Sequence, residues 1–452
     1  MKETARDHKN STSAFAGKRV LVMGLGLHGG GLGSVRFLSG QGARITVTDL
    51  RSEKELAPSL APLKRIKNIT YVLGRHRESD FVAADIIIKN PGVRSDSSYL
   101  RLARRRGIPV TTDVAIFFRS CPGTIIGVSG TRGKSTTATL ISLFLKTRHQ
   151  RVFLAGNIRT SVLDILPRVR KGDLVVLELS SFQLTDLARE HTSPPVAVLT
   201  NILRDHLNWH VNMQEYQKAK AAIFRFQKPG DYAFINGSDR RLHALARGAP
   251  SRVVFPRLDM RLKPIVDEKL GEHYESSVAL AAAVARHFGL TAASVARVLR
   301  SFPGLPERQE EIAVKKGIHF IDDTTATTPD AAVVAIKRFR AKAGTNALIL
   351  IAGGSDKNLD FREMIRAIQR SADVIIFLPG SATRKMRSLL HEDRIKPPKT
   401  KSARSMNEAV RIAWRRAKRG DHIVLSPGAA SFGLFLNEFD RGAQFKKAVR
   451  AL

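Results

Sequence analysis

The segment TIIGVSGTRGKSTT, residues 124–137, contains an apolar strand, a glycine-rich loop and the start of a helix. In this order the backbone N–H groups of the loop and the N-terminus of the helix can surround phosphate oxygens. The match to GxxxxGK[ST] is not strict, because the glycine stands at Gly127, one residue before the position that the pattern requires. The segment nevertheless predicts a phosphate site, in which Lys134 reaches the terminal phosphates and the Ser135 hydroxyl binds Mg²⁺.

Two further apolar runs lead into polar residues. The run 174–179 carries Glu178 near its end, and the run 196–201 leads to Asp205 and His206. Open parallel sheets bind ligands at the carboxyl ends of their strands, so these side chains should lie near the glycine loop. Glu178 is a candidate Mg²⁺ ligand because Mg²⁺ prefers hard oxygen donors. A strand-end glutamate is often only a cap and a lone histidine only a core residue, so the prediction depends on the three segments converging.

Apolar strands and helical segments alternate in the rest of the chain as well. Before the loop segment, the predicted strands are 19–23, 43–49, 86–89 and 110–113. After the junction Pro303-Gly304-Leu305-Pro306, they are 319–322, 347–352, 373–378 and 422–425. We therefore predict an α/β protein with a Rossmann-like domain at 1–112, a central P-loop-type ATPase domain at 113–303 and a second Rossmann-like domain at 304–452.

The first block has its own glycine motif. Residues 24–29 read GLGLHG, and Asp49 follows 20 residues after Gly29. This spacing matches the fingerprint of a Rossmann dinucleotide site. Taken alone, it favours a nicotinamide-dependent oxidoreductase, although that function would leave the central phosphate loop without a role.

The composition limits the classes of protein that remain. The chain has 452 residues and a formal net charge of +35, with 6% aromatic residues. Such a charge attracts many kinds of anion, but no nucleic-acid reading motif accompanies it, so we predict no specific nucleic-acid partner. The single cysteine, Cys121, excludes an intrachain disulfide. No apolar run has the roughly 20 residues of a membrane span, and we expect a cytoplasmic monomer without integral membrane contact.

Several motifs taken together resemble the Mur ligase family. They are GTRGKS (130–135), GNI (156–158), ELSSFQL (178–184), Asn201 followed by Asp205-His206, and YQKAK (216–220). The resemblance extends from residue 24 to residue 442 and is most specific in ELSSFQL. It implies an ATP-dependent ligase of peptidoglycan synthesis that acts through an acyl phosphate. Within the family it favours members that join D-glutamate to UDP-N-acetylmuramoyl-L-alanine.

The resemblance also implies roles for individual residues. ATP is expected to contact Gly130, Thr131, Arg132, Gly133, Lys134, Ser135, Thr136, Arg308 and Asp323. Two Mg²⁺ ions are implied, one on Ser135 and Glu178 and the other on His206 and a carbamylated Lys220; the catalytic residues are Lys134, Glu178, His206 and Lys220. The two other substrates are expected to contact Leu27, His28, Asp49, Arg51, Asn90, Asn157, Ser180, Gln183, Lys357 and Ser431.

A few positions depart from the family pattern. Thr325 replaces a lysine, Ser277 an asparagine expected at the adenine base, Arg204 a common acidic residue and Glu307 a usual histidine. None of them belongs to the phosphate loop or the implied metal ligands, so the ligase reaction is unaffected. They leave open L-glutamate as the acceptor with the same nucleotide substrate. Ligases that add L-alanine to UDP-muramate or glutamate to folate fit less well, and a basic nucleic-acid-binding ATPase is a further alternative.

Overall fold

The computed structural model describes residues 14–27, 29–158, 160–206, 209–392 and 398–452. The chain divides into two compact units. The first comprises the described residues up to Asp267 together with Tyr274–Arg300, and the second comprises Glu268–His273 and Ser301–Leu452. Short 3-10 helices cover Ala61–Leu63, Leu166–Arg168 and Glu272–Tyr274.

The first unit begins with a five-stranded parallel sheet in the order β3-β2-β1-β4-β5. Its central strand reads RVLVM and is buried on both faces beyond its first residue, as expected for a parallel sheet covered by helices on both sides. The strands are β1 (Arg19–Met23), β2 (Arg44–Asp49), β3 (Ile69–Leu73), β4 (Ile86–Lys89) and β5 (Val110–Thr111). The helices are α1 (Gly30–Gly40), α2 (Glu53–Leu60), α3 (Glu78–Ala83), α4 (Ser98–Arg105) and α5 (Asp113–Ser120).

The first unit also contains a six-stranded parallel sheet in the order β11-β10-β9-β6-β8-β7. Strand β6 lies between β8 and β9, so the carboxyl ends of these three strands meet at one edge. The strands are β6 (Thr124–Ser129), β7 (Val152–Gly156), β8 (Leu174–Glu178), β9 (Val196–Leu199), β10 (Tyr232–Ile235) and β11 (Arg252–Val254). The helices are α6 (Lys134–Lys146), α7 (Val162–Ile165), α8 (Ser181–Arg189), α9 (Met213–Arg225), α10 (Arg240–Ala246), α11 (Lys263–Lys269), α12 (Glu275–His287) and α13 (Ala292–Ser301).

The second unit is built on a six-stranded sheet in the order β12-β13-β17-β14-β15-β16, in which only β12 runs antiparallel to its neighbour. Apolar clusters cover both faces of this sheet. The strands are β12 (Glu310–Lys315), β13 (Ile318–Asp322), β14 (Leu348–Ala352), β15 (Val374–Phe377), β16 (Lys399–Ser402) and β17 (His422–Leu425). The helices are α14 (Pro329–Ala343), α15 (Arg362–Ser371), α16 (Ser381–Glu392), α17 (Met406–Trp414) and α18 (Glu438–Arg450).

The predicted α/β fold with three sheet-containing parts is confirmed. One predicted strand was too long, because β5 stops at Thr111 and Asp113 opens α5. The cause is local: the Thr112 hydroxyl accepts a hydrogen bond from the Ala115 N–H and caps that helix. None of the helices in the described ranges combines the length and apolar character that a membrane crossing requires.

The glycine motif after β1 makes a close approach that only glycine permits. A Cβ on Gly31 would lie 2.3 Å from the Leu25 carbonyl oxygen, whereas a Cβ on Gly40 of the same helix would meet nothing within 4 Å. We expect Gly31→Ala to lower the free energy of unfolding by about 3 kcal/mol through overpacking. Gly40→Ala should raise it by about 0.5 kcal/mol, because the unfolded chain becomes less flexible. Denaturant unfolding of the two variants checks the contrast, and equal stabilities would contradict it.

Candidate active site

The loop between β6 and α6 requires glycine at two positions. Gly130 has φ 151°, and a Cβ there would lie 1.9 Å from Thr200 Oγ1. Gly133 has φ 80° and is the N-cap of α6. The loop therefore turns directly into a helix whose first N–H groups lack intrahelical partners, which is the arrangement that binds phosphate.

The loop is fixed in shape by the segment that follows β9. The Asn201 side chain accepts from the Arg132 N–H at 2.8 Å and donates to the Arg132 carbonyl oxygen at 3.1 Å. The Thr131 hydroxyl lies 3.0 Å from the Tyr216 hydroxyl, and burial raises the pKa of Tyr216 to about 12. Sequence reasoning placed Asn201 in a motif without giving it a role. Its position directly after a buried strand was the available signal.

Lys134 is the first residue of α6 and folds back over the loop. Its Nζ donates to the carbonyl oxygens of Gly130 and Thr131, both at 3.0 Å. Ser135 and Thr136 follow in the same helical turn. The ammonium group therefore lies at the loop, and its contact with the terminal phosphates stays a prediction.

Glu178 ends β8 and lies in register beside Val128 of β6. Its side chain is buried, and Oε1 accepts from Asn157 Nδ2 at 3.2 Å. Among the described residues, Oε2 finds no hydrogen-bond donor. A buried carboxylate oxygen without a donor is costly, and a hard cation can satisfy it, so Glu178 fits the Mg²⁺ ligand that was predicted.

The protein itself provides few metal ligands at this position. Within the ranges that the structure describes, no three His, Cys, Asp or Glu side chains converge as in a preformed metal site. Mg²⁺ typically binds through one or two carboxylates and completes its shell with substrate phosphates and water. The residues present therefore fit Mg²⁺ that binds together with a nucleotide.

Lys220 of α9 points its amine at the phosphate loop. It is 1% exposed, and its Nζ donates to the Gly130 carbonyl oxygen at 2.7 Å and to Ser129 Oγ at 3.2 Å. Burial lowers the pKa of Lys220 well below its usual value and Lys134 lowers it further, while Glu178 and Asp205 act in the opposite direction. Lys134, Glu178 and Lys220 thus interact electrostatically at the carboxyl edge of the sheet.

His206 lies on the segment after β9 and is partly exposed. Its backbone has φ 54°, and its ring centroid lies 5.1 Å from that of Phe182 and 6.3 Å from that of Tyr216. The neighbouring Asp205 carboxylate is 3.8 Å from His206 Nε2 and 3.6 Å from Arg132. His206 therefore packs beside Tyr216, whose hydroxyl lies 3.0 Å from that of Thr131 in the loop. Its role as a metal ligand stays a prediction.

The glycine motif 24–29 of the first sheet is held by Asp49 and Asn90. The buried Asp49 carboxylate accepts from the N–H groups of Gly26 and Arg51, at 3.0 and 2.9 Å. The Asn90 side chain packs against Gly24, where an added Cβ would lie 2.9 Å from Asn90 Cβ. Asp49 and Asn90 thus hold the loop that carries Leu27, while His28 lies outside the described residues.

Ser180 and Gln183 form a reciprocal cap at the start of α8. The Gln183 N–H donates to Ser180 Oγ at 3.2 Å, and Gln183 Oε1 accepts from the Ser180 N–H at 2.9 Å. This capping box accounts for the spacing of the two residues in ELSSFQL. It fixes the helix that follows Glu178, and a substrate contact by either residue stays a prediction.

In the second unit, three loops meet at the carboxyl ends of β13, β17 and β14. They carry Asp323, Ser431 and Lys357, respectively, and the last two loops are joined by a bridge between Ser355 and Ala430. Lys357 is exposed and Ser431 is buried. Asp323 accepts from Ser426 Oγ at 2.7 Å and from the Gln309 N–H at 3.2 Å, and it interacts electrostatically with Arg308.

Arg441 lies near the end of a motif that begins at Ser426, and sequence reasoning assigned it no role, although it connects two of these loops. It is fully buried, and its guanidinium donates to the Thr324 carbonyl oxygen at 2.7 Å and to the Ala429 carbonyl oxygen at 3.1 Å. Burial lowers its pKa to about 10. The only local signal was an arginine next to Gly442, which lies close to Asp322 and Thr324.

Burial of Asp323 predicts a pH-dependent stability of the second unit. Burial raises its pKa to about 7, so the folded state binds the proton more tightly than the unfolded state. The resulting stabilisation is complete below the ordinary carboxyl pKa and is lost as the pH rises to about 7. We expect this contribution to be on the order of 4 kcal/mol and to be missing in Asp323→Asn, which keeps the oxygen that faces Gln309. The free energy of unfolding is measured as a function of pH from the fluorescence of Trp414 during denaturant unfolding, in a Trp209→Phe background. The same pH dependence in Asp323→Asn and in the parent chain would contradict the prediction.

Comparison with known proteins agrees with this geometry. Three family models match in order: the Mur ligase MurD-like, N-terminal domain at residues 18–112, the Mur ligase middle domain at 128–279, and the Mur ligase, glutamate ligase domain at 307–428. Among solved structures, the fold is similar to that of UDP-N-acetylmuramate-alanine ligase MurC from Thermotoga maritima, with a TM-score of 0.62, 16% identity and coverage of 96% of this chain and 99% of that one.

Curated proteins match over almost the full length. One named UDP-N-acetylmuramoylalanine--D-glutamate ligase, from Roseiflexus sp. (strain RS-1), is 37% identical over 97% of this chain and 99% of its own length. A protein of the same name from Borreliella afzelii (strain PKo) is also 37% identical, over 96% of this chain and 97% of its own. With this identity over nearly its whole length, and with the phosphate loop and the ELSSFQL helix at one sheet edge, the chain belongs to the Mur ligase family.

Proposed function

We propose that this chain is an ATP-dependent ligase that joins D-glutamate to UDP-N-acetylmuramoyl-L-alanine in the cytoplasmic synthesis of peptidoglycan precursors. The observation that carries the proposal is the meeting of Lys134, Glu178 and Lys220 at the loop between β6 and α6. The names of relatives at up to 37% identity support the choice of substrates. Because those names specify D-glutamate, they favour it over L-glutamate despite the departures at Thr325 and Ser277.

The chemistry follows from the properties of a carboxylate. A carboxylate repels an amine nucleophile and has no usable leaving group, so it must first be activated. Its oxygen attacks the γ-phosphorus of ATP, ADP leaves, and the amine of glutamate then displaces phosphate from the acyl phosphate. Phosphoryl transfer needs mainly alignment and charge neutralisation. Lys134 and the amides of the loop provide both at the phosphates, and Mg²⁺ adds further neutralising charge when it is bound.

We propose that Ser135 and Glu178 hold one Mg²⁺ ion and that His206 and a carbamylated Lys220 hold a second. The first ion is supported by Glu178 Oε2, a buried oxygen that has no hydrogen-bond donor among the described residues and that a cation could satisfy. For Lys220, the support is its burial against the loop. Carbamylation adds CO₂ to the neutral amine, releases a proton and replaces a group that repels cations with an anionic oxygen donor.

The remaining predicted residues are assigned to substrates as part of the same proposal. Residues 130–136 are assigned to ATP, as are Arg308 and Asp323, and Lys357 and Ser431 are assigned to glutamate. The sugar nucleotide contacts Leu27, Asp49, Arg51, Asn90, Asn157, Ser180 and Gln183. We also retain the three domain bounds 1–112, 113–303 and 304–452 and a monomeric enzyme as proposals.

A phosphate-release assay with the purified chain tests the function. We expect release that requires ATP, UDP-N-acetylmuramoyl-L-alanine and D-glutamate together, and little release with L-glutamate. Equal release with L-glutamate would correct the acceptor alone. Hydride transfer from NADH, or ATP hydrolysis stimulated by nucleic acid without the sugar nucleotide, would replace the function.

A further inference from the structure

Lys89 ends β4 and begins the segment 89–94, which contains the proposed sugar-nucleotide residue Asn90. The lysine is 3% exposed, and its Nζ lies 2.7 Å from the carboxylate of Asp186, which is 7% exposed. The same ammonium donates to the Val93 carbonyl oxygen at 3.3 Å and so closes the turn that contains Asn90. One buried cation thus shapes this turn and fastens it to α8, which carries Asp186.

Helix α8, which is bonded to Lys89 through Asp186, also packs against His206 and Trp209. The helix starts three residues after Glu178, and Phe182 lies in its first turn. The Phe182 ring centroid is 4.7 Å from that of Trp209 and 5.1 Å from that of His206. The end of α8 nearest the phosphate loop is therefore packed against the segment that contains the proposed metal ligand His206.

Trp209 in turn forms hydrogen bonds with the segment 89–94. Its Nε1 donates to the Gly92 carbonyl oxygen at 3.3 Å, and Arg94 donates to the Trp209 carbonyl oxygen at 2.8 Å. The Arg94 guanidinium also lies 6.0 Å from the centre of the Trp209 ring. Segment 89–94, α8 and the described residues His206 and Trp209 therefore form a closed ring of contacts inside the first unit.

The ion pair of Lys89 and Asp186 differs from a surface pair because both charges are buried. Burial lowers the pKa of Lys89 and raises that of Asp186, and the ion pair between them opposes both shifts. Asp113, Arg104 and Arg189 also interact electrostatically with members of the pair. A buried ion pair can often be replaced by apolar residues without loss of stability. The pair is therefore better explained by the geometry that it fixes than by stability.

We propose that Lys89 is a positioning residue that couples binding of the sugar nucleotide at segment 89–94 to binding of the nucleotide triphosphate at the loop 130–134. The inference rests on the proposed function, because it takes both ligands from it. Occupancy of one site would order the ring of contacts, and the second ligand would then bind to an element already in place. Coupling of this kind is reciprocal between the two ligands.

The test compares coupling in the full chain and in variants by calorimetry. The dissociation constant of UDP-N-acetylmuramoyl-L-alanine is measured with and without Mg²⁺ and a non-hydrolysable ATP analogue. We expect the analogue to tighten binding by about 5-fold or more in the wild type and by less than about 2-fold in Lys89→Met/Asp186→Leu. The double variant replaces both charges, so that neither remains buried without a partner. Arg77→Met/Asp80→Leu, which removes a partly exposed pair of the same sheet domain, should keep the wild-type factor.

Arg94→Gln provides a second variant with little risk to folding, because the Arg94 side chain is 49% exposed. It removes the Arg94–Trp209 hydrogen bond, one of the two that join segment 89–94 to Trp209, and should therefore also reduce the coupling factor. A wild-type factor retained in both variants, or no coupling in the wild type, would overturn the proposal. Failure of the wild type to bind the sugar nucleotide at all would instead refute the proposed function.

Discussion

Replacement of Lys134 by alanine should lower kcat/KM for phosphate release by about 10³-fold. The lysine lies at the N-terminus of α6 with its ammonium on the loop carbonyl oxygens of Gly130 and Thr131. In that position we propose that it neutralises the charge that develops on the departing ADP during phosphoryl transfer, which a neutral side chain cannot do. The loss should appear mainly in kcat, which steady-state phosphate release at saturating ATP measures.

Lys146 provides the matched control for this variant. It lies in the last turn of the same helix and is exposed. Lys146→Ala removes an equal charge from α6 and should leave kcat within about 2-fold, because an exposed charge this far along the helix is screened by solvent. Comparable losses in both variants would show that the net charge of the helix, rather than the position of Lys134, supports activity.

Replacement of Lys220 by alanine should lower activity by about 10²-fold or more. The reason is that the side chain proposed to carry the second ion's anionic ligand is removed from a buried position beside Gly130. Short carboxylic acids such as acetate or formate should restore part of the activity, since they can place a carboxylate in the vacated space. Phosphate release as a function of added carboxylate measures this rescue.

Lys218 separates this effect from the loss of any lysine in α9. It lies two residues before Lys220 on the same helix but is exposed. Lys218→Ala should retain nearly full activity and show no response to carboxylates. Full activity in Lys220→Ala would remove the proposed role, and an inactive variant without rescue would leave the lysine important but refute its carbamylation.

The strands that were predicted from the sequence lie mostly inside the sheets. Central strands such as β6 and β14 are buried on both faces and read as nearly continuous apolar runs. The strands that were missed include the sheet edges β3, β7, β11, β12 and β16. Strand β16, for example, reads KTKS and is largely exposed. Its pairing depends on a neighbouring strand, which no local pattern reveals.

The candidate site divides in a similar way. The position of the glycine loop was predictable because the loop directly follows the buried strand β6, and that of Glu178 because it is the last residue of the buried strand β8. The environment of Lys220 was not, because it arises when α9 packs against a loop 90 residues earlier in the chain. In the sequence it is one lysine in a chain with 75 Lys and Arg residues, and only the family resemblance distinguished it.

Two buried cations illustrate the same limit. Lys89 and Asp186 are separated by 97 residues, and Arg441 and Thr324 by 117. Charged residues are usually exposed, so composition and periodicity favour a surface position for each of them. Only tertiary structure brings a partner to the lysine and two loop carbonyls to the arginine.

Transfer of oxygen from the substrate carboxylate to phosphate tests the proposed reaction most directly. UDP-N-acetylmuramoyl-L-alanine labelled with ¹⁸O in its carboxylate is converted with ATP and D-glutamate, and the inorganic phosphate is analysed by mass spectrometry. If the carboxylate is phosphorylated before the amine attacks, each phosphate carries an ¹⁸O atom from the substrate. Phosphate without the label, formed together with the amide product, would show that no acyl phosphate lies on the path.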